Sequence, residues 1–580
     1  MLRMILGTAN SGKPEFVYNE IAARLAAGKK TWILVPEQFS LFMEKELLQR
    51  FGLPSQVYIK VLSFSRLCNL VLSKTGPLRM KYIDGAGKQI IAAQVMQQLS
   101  GRLVALGRNM RQKGFAAVLA DTISEFKRYG VSPQALRFAA ENADNEKLSA
   151  NLYDLSVIYE EYNRLIEIQS ADAEDNLSLI CGKLRNCGFL DGHMYIMYFR
   201  SFTPTEQRAI GELMHRMDIS FAIDYSRSAE FGALFYPAER TMAILKKLAA
   251  AEKIEVLPPI MLDAPKADNA LEYLQSRYFD RTAPSYDKEC GEICICRLQN
   301  RYREIEYAAD LIIKLCRTEK RRFRDFLVLT RDSESYNRII PSVFEQRGIR
   351  AFIDNSRPAA SKPLMRLIFG TLDILAHGPS YERIMNIAGT NLLTDDRDAV
   401  DLFENYILAA APTHAMWQNG GWTYQPGGRN YDMESINQTR DILLSGADFI
   451  RGRISGIKSG GAIAEAVLAW LEGSGLDGRL NSAAAKLLAE DKPELAEEYR
   501  QVWNTAISVL AQMAEIMKDT AMTYPQFAEV FENACRGIEF SMTPQTMDCV
   551  MCSSIDRFRS SGSKVVIVLG MNEGVFPKGH

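Results

Sequence analysis

Leu2-Arg3-Met4-Ile5-Leu6-Gly7-Thr8-Ala9-Asn10-Ser11-Gly12-Lys13-Pro14 is the stretch on which the fold turns. A short apolar run meets a loop bounded by Gly7 and Gly12, and a helical period follows from Pro14 to Ala27. Next comes "KTWILVP", rich in β-branched and aromatic residues. Strand, loop, helix and strand in that order predict a parallel sheet covered by helices. The loop itself satisfies G-x-x-x-x-G-K between a strand and a helix. Glycines there let backbone N–H groups face phosphate oxygens, the lysine reaches the outer phosphates, and the helix start adds partial positive charge. A tight strand–helix turn with a surface lysine is the alternative. On the first reading Gly7, Thr8, Ala9, Asn10, Ser11, Gly12, Lys13 and Pro14 line a nucleotide site.

Pro14 stands where such a loop carries Ser or Thr. That hydroxyl holds Mg²⁺, and the residue's N–H also faces phosphate; proline has neither group, although it suits a first helical turn. A metal-ordering carboxylate is also expected at the end of a neighbouring strand. The strand pattern "MYIMYFRSFTPTE" carries Met197 and Tyr198 at that place, with Glu206 beyond the turn, and Asp224 ends the next strand. Two parts of the hydrolysis apparatus are absent, so binding without efficient turnover is expected, with ATP as the ligand and magnesium poorly held.

Outward from this unit, a largely helical stretch runs from about Gly85 to Ile180. "HMYIMYF" and "ISFAIDY" then resume the strand pattern. Leu257 to Tyr286 reads as a linker around one short helix. A second α/β pattern starts with "EICICRL", continues through the helix "YREIEYAADLIIKLC" and reaches the strand "FRDFLVLTR". After Pro363 the chain is helical and irregular, with glycine-rich breaks, until "KVVIVLG" returns to the second sheet. The fold class expected is α/β, with two RecA-like parallel-sheet domains of the superfamily 1 helicase type, each with a helical insertion. The expected segments are 1–84 (domain 1A, first part), 85–180 (insertion 1B), 181–286 (1A, second part and linker), 287–378 (2A, first part), 379–545 (insertion 2B) and 546–580 (2A, second part, truncated).

A chain of 580 residues is too long for one hydrophobic core. Its net charge of −1 offers no global attraction for nucleic acid or membrane, so any DNA contact must come from local basic residues. No stretch approaches the roughly 18 apolar residues that cross a bilayer, and the start is too short for a signal-peptide core. A cytoplasmic protein without membrane contact is expected. Ten cysteines spread thinly suit a reducing compartment. Cys290, Cys294 and Cys296 come nearest to a metal pattern, but the last two lie two apart on an expected strand and read as its buried thiols. No metal ligand and no catalytic residue is named.

The order of motifs carries a family resemblance. "LGTANSGK", "WILVPEQFSLFMEKEL" and "VLSFSRLCNLVL" are followed by "ISEFKRYGVSPQAL", "KLSANLYDLSVIYEEY" and "YFRSFTPTEQ". Then come "REIEYAADLIIKL", "FLVLTRDSESYNRIIPSVFEQRGIRAFID", "SKPLMRLI" and "DCVMCSSIDRFRSSGSKVVIVLGMNEGVFP". This series resembles the B subunit of the AddAB (RexAB) helicase–nucleases, which process broken bacterial DNA. The resemblance spans nearly the whole chain and is weakest between about 380 and 540. It implies a heterodimer with an AddA-type motor and nuclease subunit, acting on DNA ends and single-stranded DNA. In the family this subunit is not the motor; it follows one strand and recognises the regulatory Chi sequence. Gly7, Gly12 and Lys13 carry over onto the family's nucleotide loop, while Pro14 and Met197 depart from it. Family members continue into a RecB-type nuclease domain with an iron–sulfur cluster held by four cysteines. That cluster is expected only beyond His580, and no nuclease residue carries over.

A strand of DNA crossing two such domains is held by cations on its phosphates and aromatics on its bases. Gln38 and Phe39 follow one strand, Phe39 having core packing as its alternative, and "SFSRLC" offers Ser63, Phe64 and Arg66. In the second domain Arg331 and Tyr336 follow "FLVLT", and Arg557 and Arg559 flank the last turn. Competing with the DNA-binding subunit are an active ATP-dependent DNA translocase and a P-loop small-molecule kinase. The second sheet argues against the kinase.

Overall fold

A parallel strand covered on both faces must be apolar on both, and the first strand meets that demand. Five of the six residues of β1 (Leu2–Gly7) are buried; Arg3 is the exception. The computed structural model describes all residues except 76–81, 100, 109–111, 113, 170, 227–231, 263–268, 279–281, 354–356, 455–458, 491–492, 541–547, 556–561 and 579–580. The chain divides into two units, one of residues 1–84 and 95–294, the other of residues 85–94 and 295–580.

In the first unit β1 is followed by β2 (Thr31–Leu34), β3 (Ile59–Leu62), β4 (Tyr82–Ile83), β5 (Ala171–Asp172), β6 (His193–Ile196), β7 (Asp218–Asp224) and β8 (Ile260–Met261). Six of these form one sheet in the order β3-β2-β6-β7-β1-β8, with every pair parallel. β4 and β5 pair with each other. Alternate side chains of β1 point to opposite layers. Leu2, Met4 and Leu6 pack with Leu34, Ile196, Ile219 and Phe221. On the other face Ile5 packs with Ile33, Tyr195 and Ala222 and with Val17 and Ile21 of α1 (Lys13–Ala26). Burying each of these aliphatic side chains stabilises the unit by about 1.5–3 kcal/mol. That packing fixes α1, and with it the loop at its N-terminus.

The second unit holds β9 (Phe326–Thr330), β10 (Ala351–Ile353), β11 (Arg357–Pro358), β12 (Glu539–Phe540), β13 (Val550–Ser554) and β14 (Val565–Leu569). Four of them make a parallel sheet in the order β10-β13-β9-β14. β11 and β12 form a separate antiparallel pair. Helix Arg301–Thr318 covers the sheet through Ile305, Ala308, Ala309 and Ile312. Helices fill most of the chain from Pro363 to Arg536. Two parallel sheets, each interrupted by helices, are the α/β architecture of paired RecA-like domains with helical insertions. Among the described residues no helix is long and apolar enough to cross a membrane.

One expected strand is absent. "EICICRL" joins no sheet, Cys290, Cys294 and Cys296 are exposed, and Ile295 is 93% exposed. Alternation makes a strand only where a neighbour supplies hydrogen bonds, and no described pairing includes this segment. The thiols are therefore not core residues. Conversely, the expected linker begins with a strand, since Ile260 and Met261 pair with Ile5 and Leu6.

A partly buried polar network ties the N-terminal ends of β1, β6 and β7 to α1. Arg3 Nη1 donates to Glu20 Oε1 at 2.9 Å, its second terminal nitrogen also bonds Glu20, and its Nε donates to Ser220 Oγ at 3.0 Å. Tyr195 donates its hydroxyl proton to Glu20 Oε2 at 2.9 Å, and His193 Nε2 lies 2.9 Å from Ser220 Oγ. Burial, with Arg24 and Arg3 adding repulsion, lowers the His193 pKa from 6.5 to about 4. Unfolded chains therefore take up a proton below about pH 6.5 that the folded protein refuses until about pH 4. The contribution of neutral His193 to stability is full above that window and is lost as pH falls through it. Urea midpoints measured between pH 4 and 7 should fall on acidification, and His193→Gln should flatten that slope.

Candidate functional site

The loop between β1 and α1 is built by close approach. A Cβ on Gly7 would lie 2.2 Å from Ser11 Oγ and 2.7 Å from the Leu262 carbonyl oxygen, so only glycine fits. Gly12 (φ 75°) caps α1 in a left-handed conformation, and Asn10 (φ 63°) adopts the same region, which Asn tolerates better than most residues. Pro14 sits in the first turn of α1, where its missing N–H costs the helix nothing.

Lys13 does not extend as a surface side chain. It is 9% exposed, and its Nζ donates to the carbonyls of Gly7 (2.8 Å) and Thr8 (2.5 Å), with Ser11 Oγ at 3.2 Å. The fourth oxygen is Asp224 Oδ1, at 2.8 Å. Strand pairing makes that contact, because the parallel register sets Gly7 opposite Asp224. Tyr225 N–H reinforces it by donating to the Gly7 carbonyl at 3.0 Å. From the segment read as linker, Gln275 on helix Ala270–Arg277 donates to the Ala9 carbonyl at 2.8 Å. Thr8 is half-buried, while Ala9 and Asn10 are exposed. Asp224 and Gln275 are thus loop partners that the sequence pattern does not assign. It marks Asp224 only as a strand end, and it does not mark Gln275 at all.

The residues fit a phosphate better than they fit a metal. A glycine turn, a helix start and a lysine are the parts from which an anion site can be built. At the exit of β6, one strand beyond β7, Met197 is buried and Tyr198 adopts φ 66°. The Tyr198 ring stacks on Phe39 with centroids 4.8 Å apart and planes 8° from parallel. Burial raises the Tyr198 pKa, so its hydroxyl is no base. With Pro14 lacking a hydroxyl and Met197 and Tyr198 lacking a carboxylate, neither place offers the side-chain oxygen that anchors Mg²⁺ in such loops.

The expected nucleic-acid residues are placed unequally. Gln38 is exposed in the turn after β2, on the same sheet edge as the loop. Phe39 is 5% exposed and packs with Ile33, Val35 and Met43, so core packing is its observed place. Ser63 is buried and accepts from Arg66 N–H at 3.2 Å, at the start of the helix Phe64–Thr75. Phe64 is half-buried against Phe199 and Phe202. Arg66 is ion-paired with Glu44 and lies 4.0 Å from Glu37. In the second unit Tyr336 is 1% exposed and donates to Glu304 Oε2 at 2.7 Å. The same oxygen accepts from Gly570 N–H at 3.0 Å, which pins the turn after β14. Tyr336 is therefore a packing residue, out of reach of a base. Arg331 is half-buried at the end of β9, and Arg557 and Arg559 lie outside the described residues.

Residues 4–275 match the family model described as "ADDB, N-terminal". Over that span the chain resembles the N-terminal part of AddB. Across 99% of its length it is 30% identical to the B subunit of the ATP-dependent helicase/deoxyribonuclease of Clostridium novyi, and 29% identical to the protein of the same name from Clostridium acetobutylicum. Ruminiclostridium cellulolyticum has another, 28% identical over 99% of the chain. The chain spans about half the length of these curated relatives: 51% for C. novyi and 52% for the other two.

Gly7→Ala tests whether the loop needs this close approach. The added methyl group meets a backbone carbonyl that cannot swing away, so the variant should lose about 1–3 kcal/mol in urea unfolding. A Gly12→Ala variant meets no neighbour within 4 Å and is strained only by its left-handed backbone, about 1–2 kcal/mol.

Proposed function

We propose that the chain is the helicase-like part of the B subunit of a DNA-break-processing helicase–nuclease. In this reading it holds single-stranded DNA beside an AddA-type motor subunit, tracks one strand and takes part in recognising Chi. Similarity over almost the whole chain to relatives named as B subunits of a helicase/deoxyribonuclease supports the assembly. The loop around Lys13 supports ATP binding, and the residues at Pro14, Met197 and Tyr198 support binding without efficient hydrolysis.

One observation carries the second half of this reading. The aromatic pair Tyr198–Phe39 lies at the strand exit where a P-loop hydrolase sets its metal-ordering acid. Bound ATP would find its phosphates met by Lys13 and the start of α1, with no fixed oxygen at Pro14 or Tyr198 to anchor magnesium. Movement along DNA would then be powered by the partner subunit, while this chain holds the strand. Gln38 and Arg66 in the first unit and Arg331 in the second are polar candidates for that contact, Gln38 being the most exposed of the three.

Purified chain should bind single-stranded DNA with an affinity that falls steeply as salt rises. It should show no DNA-stimulated ATP hydrolysis above the Lys13→Ala background. Rapid DNA-stimulated turnover by the unaltered chain would instead establish an active translocase. Phosphorylation of a metabolite without DNA would establish a kinase.

A further inference from the structure

The Lys13 ammonium group is already surrounded by oxygen. Three protein oxygens of the loop and one carboxylate lie within 3.2 Å of it. Only the carboxylate carries charge, and the two ends of that ion pair differ in environment: the Lys13 side chain is 11% exposed, that of Asp224 is 66% exposed. A phosphate approaching from solvent meets a cation whose charge is neutralised by a group that can turn away into water. The Gly7 carbonyl cannot leave in the same manner, since it is fixed by β1 and by Tyr225 N–H.

We propose that Asp224 is a built-in competitor at the phosphate loop, so that a nucleotide's phosphate binds only by displacing the Asp224 carboxylate from Lys13. The proposal rests on the loop being a phosphate site and adds what sets its affinity. The competing carboxylate comes from β7, whose register with β1 delivers it to the loop. A metal-holding carboxylate would be turned towards a cation of the ligand, whereas this one faces the protein's own ammonium. Release costs little, as partly exposed ion pairs are worth up to about 1 kcal/mol. Asp224 therefore weakens nucleotide binding without abolishing it. It also keeps Lys13 neutralised when phosphate is scarce.

Anisotropy of a fluorescent ATP analogue tests this on the full chain, with inorganic pyrophosphate as competitor, in magnesium and in EDTA. The variants are Asp224→Asn, Asp224→Ala and Lys13→Ala, each checked by its thermal melt. Asp224→Asn and Asp224→Ala should both bind about fivefold more tightly than the unaltered chain, equivalent to roughly 1 kcal/mol, with and without magnesium. Lys13→Ala should lose binding. If the Asp224 variants bind no better while Lys13→Ala still binds worse, the competitor is refuted and the phosphate site stands. Weaker binding by Asp224→Asn in magnesium alone would make Asp224 a metal ligand and overturn the proposal. Equal binding by the unaltered chain and Lys13→Ala, or none by any variant, would remove the phosphate site and the competitor with it.

Discussion

Parallel pairing of β1 with β7 is the constraint from which the site follows. Six residue pairs, from Leu2–Ile219 to Gly7–Asp224, fix the register. A slip of one residue would turn every side chain of β7 to the opposite layer and break both cores. The same register sets Arg3 beside Ser220 at one end of the sheet and Gly7 beside Asp224 at the other. Hydrophobic burial therefore positions two polar assemblies that have no sequence signal in common. One is a partly buried network at the N-terminal ends of the strands, the other a charged loop open at their C-terminal ends.

That open end separates two tasks that P-loop enzymes combine. Handling phosphate charge needs a glycine turn, a helix start and a cation, all of which are present. Cleaving a phosphoanhydride needs in addition an anchored metal and an ordered water. At that second place the chain has a proline, a buried methionine and a stacked pair of rings. Aromatic packing of Tyr198 on Phe39 there stabilises the end of the sheet through apolar contact.

Much of this is legible from the residues alone. The loop, α1 and the strands on either side announce themselves through glycine spacing and a change of period, and the helices after Pro363 through their apolar spacing. The relation between Lys13 and Asp224 is not legible, because it depends on a register between strands far apart in the chain. Short strands such as Ala351–Ile353 and Ile59–Leu62 give too few residues for a period. "EICICRL" fails in the opposite sense: its pattern is right for a strand, and pairing, which pattern does not encode, decides otherwise. Phe39 and Tyr336 show the same limit for sites, since an aromatic after a strand can turn towards solvent or core, and both turn to the core.

The segment around Cys290, Cys294 and Cys296 leaves the chain with two populations of thiol. Burial raises the pKa of Cys68, Cys181, Cys187, Cys316, Cys535 and Cys552, which keeps them protonated and slow to react, and Cys549 is buried as well. The three exposed cysteines meet water directly. A maleimide dye or spin label added at neutral pH would therefore collect on one short stretch ahead of helix Arg301–Thr318, giving the native chain its own spectroscopic handle without engineering.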